Sequence, residues 1–156
     1  MILWGIVGRK DAGKTTLTER LVAELTRRGL AVSTLKRTHH ALDLEVPGTD
    51  SHRHRVAGAR QVLLASDARI ALMEEAREQT LQQLLARLDP CDVVLAEGWK
   101  RGDHKRIEVW RTGLGVRPLA EADPTIRAVA SDGETGLAVP RLDLGDVGAV
   151  ADFVLR

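Results

Sequence analysis

Eight residues near the start of the chain limit its fold more than anything else in it. Gly8-Arg9-Lys10-Asp11-Ala12-Gly13-Lys14-Thr15 fits the spacing G-x-x-x-x-G-K-[ST]. Glycines at those two places let the backbone curl until successive amide hydrogens converge on an anion. The pattern has meaning only with a strand before it and a helix after it. Both are legible: Ile2 to Val7 is a short apolar run stopped by Gly8, and from Lys14 to Arg28 the residues Leu17, Leu21 and Leu25 repeat at four-residue steps beside Val22. That stripe is one face of a helix, and Gly29 is placed to end it. A chance match in a chain of this size is on the order of one in a hundred, given the ordinary frequency of glycine. A plain glycine turn with a surface lysine leaves the flanking strand and helix unexplained. In this setting the helix N-terminus favours a polyphosphate. Lys14 supplies a cation for the β- and γ-phosphates and Thr15 a hydroxyl for Mg²⁺. Arg9 and Lys10 either add positive potential or are solvated loop side chains.

The remaining pattern extends this start into an α/β domain. Leu30 to Leu35 reads as a second strand, so the strand–loop–helix–strand order implies a parallel pair with a right-handed crossover. Lys36 to Thr49 reads as loop, and Asp50 to Ala59 as a short helix capped by Asp50 or Ser51. Gln61 to Ala65 and Arg69 to Met73 read as a hairpin around Ser66-Asp67-Ala68. Thr80 to Leu88 carries leucines at helical spacing and stops before Pro90. Asp92 to Ala96 and Ile126 to Ala130 read as buried strands, Arg106 to Trp110 alternates like an edge strand, and Asp146 to Leu155 reads as an amphipathic helix. The expected fold class is α/β: a P-loop NTPase-like three-layer fold, with a parallel-rich mixed sheet, helices on both faces and an added antiparallel hairpin. At 156 residues, positions 1 to 156 are read as a single domain.

Composition narrows the function classes. A formal net charge of +1 argues against a general nucleic-acid partner. Cys91 is the sole cysteine, which rules out an internal disulfide and argues against a cysteine-based metal site. No apolar run approaches the roughly 18 residues of a membrane span, and Met1 to Val7 lacks the features of a signal peptide. The expectation is a cytoplasmic protein with no membrane partner.

A phosphate loop needs a partner acid at the end of another strand. Glu97 closes the strand Val93 to Ala96, and ligands of open α/β sheets sit outside the carboxyl ends of strands. Asp92, at the other end, lies roughly 17 Å away at about 3.3 Å per residue. The alternative for Glu97 is a loop carboxylate paired with Lys100 or Arg101. Asp50 follows Pro47-Gly48-Thr49 and is either a switch residue in a ligand-sensing loop or a plain helix cap. His39, His40, His52 and His54 invite a metal reading, but their spacing and the absence of a completing cysteine or acid favour polar-loop histidines. Lys36, Arg37, Lys100, Arg101, Lys105 and Arg106 form either a cationic rim suited to an anionic second ligand or a set of solvated loop residues.

Taken together, these residues resemble the MobB family of molybdopterin-guanine dinucleotide biosynthesis adaptor proteins. The likeness rests on Gly8 to Thr16, Lys36-Arg37-Thr38-His39-His40, Pro47-Gly48-Thr49-Asp50-Ser51, Ala57-Gly58-Ala59, Ala96-Glu97-Gly98-Trp99-Lys100, Ala128-Val129-Ala130-Ser131-Asp132 and Ala151-Asp152-Phe153-Val154. It implies a homodimeric GTP-binding protein with weak GTPase activity. Such a protein assists the enzyme that joins GMP to molybdopterin, the molybdopterin guanylyltransferase. The molybdenum-insertion enzyme and molybdopterin itself are further candidate partners. By the same resemblance Gly8, Asp11, Ala12, Gly13, Lys14, Thr15 and Thr16 hold phosphates, and Thr15, Glu97 and Asp50 surround Mg²⁺. Glu97 and Asp50 would serve any hydrolysis. Ser131 and Asp132 face the base, and Lys36, His39, His40 and Lys100 face a partner or cofactor. Two departures stand out. Trp99 replaces the phenylalanine common in relatives, and Asp11 brings an acid into the phosphate loop, where it must point away or pair with Arg9 or Lys10. The guanine-reading stretch N-K-x-D is absent, so base choice does not follow from the residues. On the residues alone, a small-molecule kinase, a metal-insertion GTPase and a non-catalytic nucleotide-binding module stay open beside the adaptor.

Overall fold

The computed structural model describes residues 1–38, 44–75 and 78–156. It divides into two compact units, residues 1–37 with 85–156, and residues 38–84. The first contains β1 (Ile2–Val7), α1 (Lys14–Arg27), β2 (Val32–Lys36), β5 (Val93–Glu97), β6 (Arg106–Trp110), β7 (Ile126–Ser131), β8 (Arg141–Asp143) and α4 (Val147–Val154). The second contains α2 (Asp50–Val56), β3 (Gln61–Ala65) and β4 (Ile70–Glu74), with α3 (Leu81–Leu85) at its end.

In the first unit six strands form one sheet in the order β2-β5-β1-β6-β7-β8, and every pairing is parallel. The α/β class and the mostly parallel sheet therefore hold. Strand order corrects two local readings. β1 and β2 run parallel but are not partners, because β5 lies between them. All five residues of β5 are buried, so its apolar sequence suits a place with neighbours on both sides. β6 is not an edge strand; it pairs with β1 and with β7. Its alternation misleads because its polar residues are buried with partners of their own. Arg106 is 2% exposed and donates to Asp123, Thr125 and the Gly102 carbonyl.

One face of this sheet carries the main core. Trp4, Ile6, Val93, Leu95, Ile107 and Val109 pack with Leu17, Leu21 and Leu25 of α1 and with Val150, Ala151 and Val154 of α4. The leucine stripe read from α1 is this contact. Gly29, at φ +84°, ends α1: its amide reaches Thr26 O and the Leu30 amide reaches Leu25 O. Asp146 caps α4 by accepting from the Ala149 amide. The Trp4 indole donates to the Val154 carbonyl at 2.9 Å, tying the first strand to the last helix.

Glu108 sits between Ile107 and Val109 and so faces the opposite side of the sheet. It is fully buried, and its two oxygens accept the amides of Leu119 and Ala120 at 2.8 and 2.9 Å, holding a 3-10 turn over Leu119–Glu121 against that side. Burial raises its pKa above the usual carboxylate value, while the two amides oppose the rise. A folded-state pKa above the unfolded one means a contribution to stability that is complete below the unfolded pKa and is lost as pH rises through the folded one. Glu108→Gln imitates the protonated acid. The stability advantage of wild type over this variant should therefore shrink as pH climbs from about 4 towards neutrality. Urea unfolding of both proteins across that range measures it; an advantage that grows with pH would contradict this account.

In the second unit β3 and β4 form the expected antiparallel hairpin, paired from Gln61↔Glu74 to Ala65↔Ile70. The Ser66 hydroxyl accepts the amides of Ala68 and Arg69 and does locally what an Asn-Gly turn does elsewhere. Leu63, Leu64, Ile70 and Leu72 are exposed on it. The cap position of α2 is Thr49 rather than Asp50 or Ser51, and α2 ends at Val56. α3 is shorter than the helix read from Thr80 to Leu88. Thr80 and Gln83 bond reciprocally at its start, and Leu88 already turns back onto Leu85 O in a tighter bond before Pro90.

Candidate functional site

The loop between β1 and α1 has the backbone its sequence requires. Gly8, Asp11 and Gly13 have φ of +147°, +60° and +98°. Alternating hands of this kind turn amide hydrogens to one side. Asp11 is the one non-glycine with positive φ among the described residues, and aspartate tolerates that conformation better than most. Ala12 is fully buried and anchors the loop. Gly8 passes so close to β6 that a β-carbon there would lie 2.4 Å from the Val109 carbonyl oxygen. α1 starts from Gly13 with no side-chain cap and no acid in its first turn. Its leading amides are thus left for an outside anion.

The Lys14 ammonium folds back onto the Arg9 carbonyl at 2.7 Å. Its pKa is lowered, first by burial and then by Lys100 and Lys36, while Glu97 and Asp11 pull the other way. Four of the cationic and acidic residues read from sequence therefore do gather around Lys14. The register explains why: Ile6 pairs with Glu97, and Glu97 pairs with Lys36, so three parallel strands end together. The Thr15 hydroxyl donates to Glu97 Oε1 at 2.9 Å. The Lys36 ammonium lies 3.5 Å from both that hydroxyl and that carboxylate oxygen. An alcohol and a carboxylate side by side, already drawing a cation between them, form a donor set that fits Mg²⁺. Thr16, next along α1, is exposed at the same end. Arg37 places its guanidinium 4.9 Å from the centre of the Trp99 ring.

Other residues weighed from the sequence take their own places. Asp92 accepts the Ala31 amide at the far end of β5. Lys105 and Arg106 open β6 instead of following it, so they are not on the rim with Lys36 and Lys100. Lys105 lies 5.8 Å from the Trp4 ring centre, and Arg106 is locked in its buried ion pair. Asp50 belongs to the second unit, where its Oδ1 accepts the Ser51 amide. His39 and His40 fall outside the described residues. His52 accepts the Gly48 amide through Nδ1. Among the described residues no three or more His, Cys, Asp or Glu are grouped to hold a metal ion, and no helix is long and apolar enough to cross a membrane.

The end of β7 carries Ser131 and Asp132. The Ser131 hydroxyl is spent on its own turn, donating to Gly133 O and accepting the Gly133 amide. Asp132 accepts the Thr112 amide at 3.0 Å and the Thr112 hydroxyl at 3.3 Å. The Thr112 amide is the main reason its pKa is lowered, and Arg111 adds to it. Arg111 is the residue that sequence reasoning missed. It follows β6 directly, bonds the Ala12 carbonyl of the phosphate loop at 3.1 Å, and reaches Asp132 at 3.4 Å. Only the strand order, with β6 between β1 and β7, could have singled it out.

A parallel sheet whose first strand runs through a glycine-bent loop into a helix, with an acid delivered beside that loop by the neighbouring strand, defines a P-loop α/β protein. Residues 3–132 match the family model "Molybdopterin guanine dinucleotide synthesis protein B", and the chain belongs to that family. It is 42% identical over 150 residues to the molybdopterin-guanine dinucleotide biosynthesis adapter protein of Escherichia coli K12, covering 92% of this chain and 86% of that one. The Haemophilus influenzae adapter protein is 37% identical over 155 residues, with 97% and 86% covered. A crystal structure of molybdopterin-guanine biosynthesis protein B superposes with a TM-score of 0.77 at 27% identity, covering 99% of this chain and 97% of the other. The MobB homolog of Bacillus stearothermophilus gives 0.72 at 27%, covering 99% and 96%.

Proposed function

We infer that the chain is a GTP-binding adaptor in the synthesis of molybdopterin-guanine dinucleotide. The carrying observation is the junction of Lys14, Thr15, Glu97 and Lys36 at the mouth of the phosphate loop, in a chain of this family. The triphosphate lies along the loop amides of Gly8 to Thr16 with Lys14 over its β- and γ-phosphates. Thr15 and Glu97 hold Mg²⁺, which neutralises phosphate charge when bound. Lys36 and Lys100 face the open side, where the γ-phosphate meets a partner or a pterin. Asp132, at a strand end beside the loop, takes the donor edge of guanine. Hydrolysis is weak, with Glu97 as the acid that serves it, and occupancy carries the signal. The partners are the molybdopterin guanylyltransferase and the molybdenum-insertion enzyme of the cytoplasm. A homodimer is supported by the apolar side chains exposed on the β3–β4 hairpin.

Titration of GTP and ATP by tryptophan fluorescence, with and without Mg²⁺, tests this reading. GTP should bind more tightly than ATP, and Mg²⁺ should strengthen GTP binding. Glu97→Gln should cut that Mg²⁺ enhancement by about tenfold while the metal-free affinity stays close to wild type. Equal affinities for the two nucleotides would remove the guanine assignment, and an unchanged enhancement in the variant would remove Glu97 from the metal.

A further inference from the structure

The phosphate loop and the Ser131–Asp132 turn are separated by one strand, β6, and what leaves the end of that strand touches both. Arg111 Nε donates to the Ala12 carbonyl at 3.1 Å, and its Nη1 faces Asp132 Oδ2 at 3.4 Å. The guanidinium lies flat against Gly13: a β-carbon at Gly13 would stand 3.4 Å from Nη2. Thr112 adds a second tie, giving its amide and hydroxyl to Asp132 Oδ1, while its methyl group packs so closely on Gly133 that a β-carbon there would lie 2.6 Å away. Both oxygens of Asp132 are thus engaged from the β6 side.

The bond to Ala12 has a directional consequence. In a trans peptide the carbonyl and the following N–H point to opposite sides. A guanidinium on the Ala12 oxygen therefore fixes the plane of the Ala12–Gly13 peptide and aims the Gly13 amide away from Arg111. It also polarises that amide and makes it a better donor. One planar cation thereby sets a donor of the phosphate cradle and the position of the carboxylate beside it. Lysine, with a single ammonium, cannot hold both in fixed geometry.

We propose that Arg111 is a positioning residue that couples the base end of the nucleotide site to its phosphate end. The inference rests on the proposed function, in which Asp132 meets guanine and the loop meets phosphate. Its consequence is that the preference for GTP over ATP depends on a side chain that touches neither the purine nor a metal.

The test measures dissociation constants of GTP, ATP and inorganic tripolyphosphate for wild type, Arg111→Ala, Arg111→Lys, Asp132→Asn and the Arg111→Ala/Asp132→Asn double variant, with urea unfolding run on each. Arg111→Ala should lower the GTP-over-ATP ratio by about tenfold, the scale of coupling between subsites, and weaken tripolyphosphate several-fold. Arg111→Lys should leave the ratio depressed. The double variant should show a ratio no lower than Asp132→Asn alone, because the two residues act as one unit. A brace with no part in recognition would lower the unfolding midpoint and weaken all three ligands alike. An unchanged ratio in Arg111→Ala, or losses that multiply in the double variant, would overturn the proposal. If Asp132→Asn itself keeps the wild-type ratio, the base assignment fails and the coupling fails with it. A loss in Asp132→Asn without one in Arg111→Ala defeats the coupling alone.

Discussion

Lys14→Ala is expected to weaken GTP binding by about a hundredfold or more, while the folded protein stays as stable as wild type or becomes slightly more so. The two halves of this result have one cause. In the ligand-free protein the ammonium is partly desolvated and shares its surroundings with Lys36 and Lys100, and its pKa is lowered accordingly. The fold therefore disfavours the charged form of this lysine. What it gains in return is the attraction of Glu97 and Asp11 and one bond to the Arg9 carbonyl, and the pKa stays lowered despite them. A triphosphate reverses the balance by bringing several negative charges to the same place. Losing one member of a desolvated charge pair costs on the order of 3 kcal/mol, roughly two powers of ten in affinity. Isothermal titration and thermal unfolding of the same preparation read both numbers. A variant that binds GTP as wild type does would place the phosphates elsewhere. One that unfolds markedly earlier would make the lysine a structural element.

Gly8→Ala should be the more damaging change to the fold. At φ +147° the backbone is in a region that an L side chain rarely enters, and the new β-carbon would stand 2.4 Å from the Val109 carbonyl oxygen. That oxygen belongs to the backbone of an interior strand and cannot swing aside. Either the loop or β6 must shift, and both carry the site. A loss of about 2 to 4 kcal/mol together with loss of nucleotide binding is expected, in the range of changes that combine backbone strain with overpacking. Gly29→Ala provides the comparison. Its φ is +84°, and no atom lies within 4 Å of a β-carbon placed there. It should cost only about 1 to 2 kcal/mol, the strain of the backbone alone, and leave GTP affinity intact. Equal costs at the two glycines would show that the approach to Val109 does not matter.

What could be read from sequence divides along a physical line. The phosphate loop, β1, the leucine stripe of α1 and the acid at the end of β5 were legible, because each depends on neighbours in the chain: a glycine hinge, a helical period, an apolar run with a stop. Strand order is not a local property. Placing β5 between β1 and β2 takes pairings between residues some sixty to ninety positions apart, which periodicity does not encode. β6 was misread for a related reason. Alternation is a sign of one wet face only when its polar residues meet water, and Arg106 and Glu108 meet Asp123 and the amides of Leu119 and Ala120 instead. The three residues of β8 are too few to leave a pattern. Arg111 stayed hidden behind the same gap: a lone arginine after a supposed edge strand has no address until its neighbours are known.

The bond from Trp4 to Val154 spans 150 positions. β1, which carries the phosphate loop, is flanked by β5 and β6, whose paired residues lie about ninety to a hundred positions further along (Ile2↔Val93, Gly5↔Arg106). During synthesis the nucleotide-gripping segment therefore has no flanking strands until about a hundred further residues have been made.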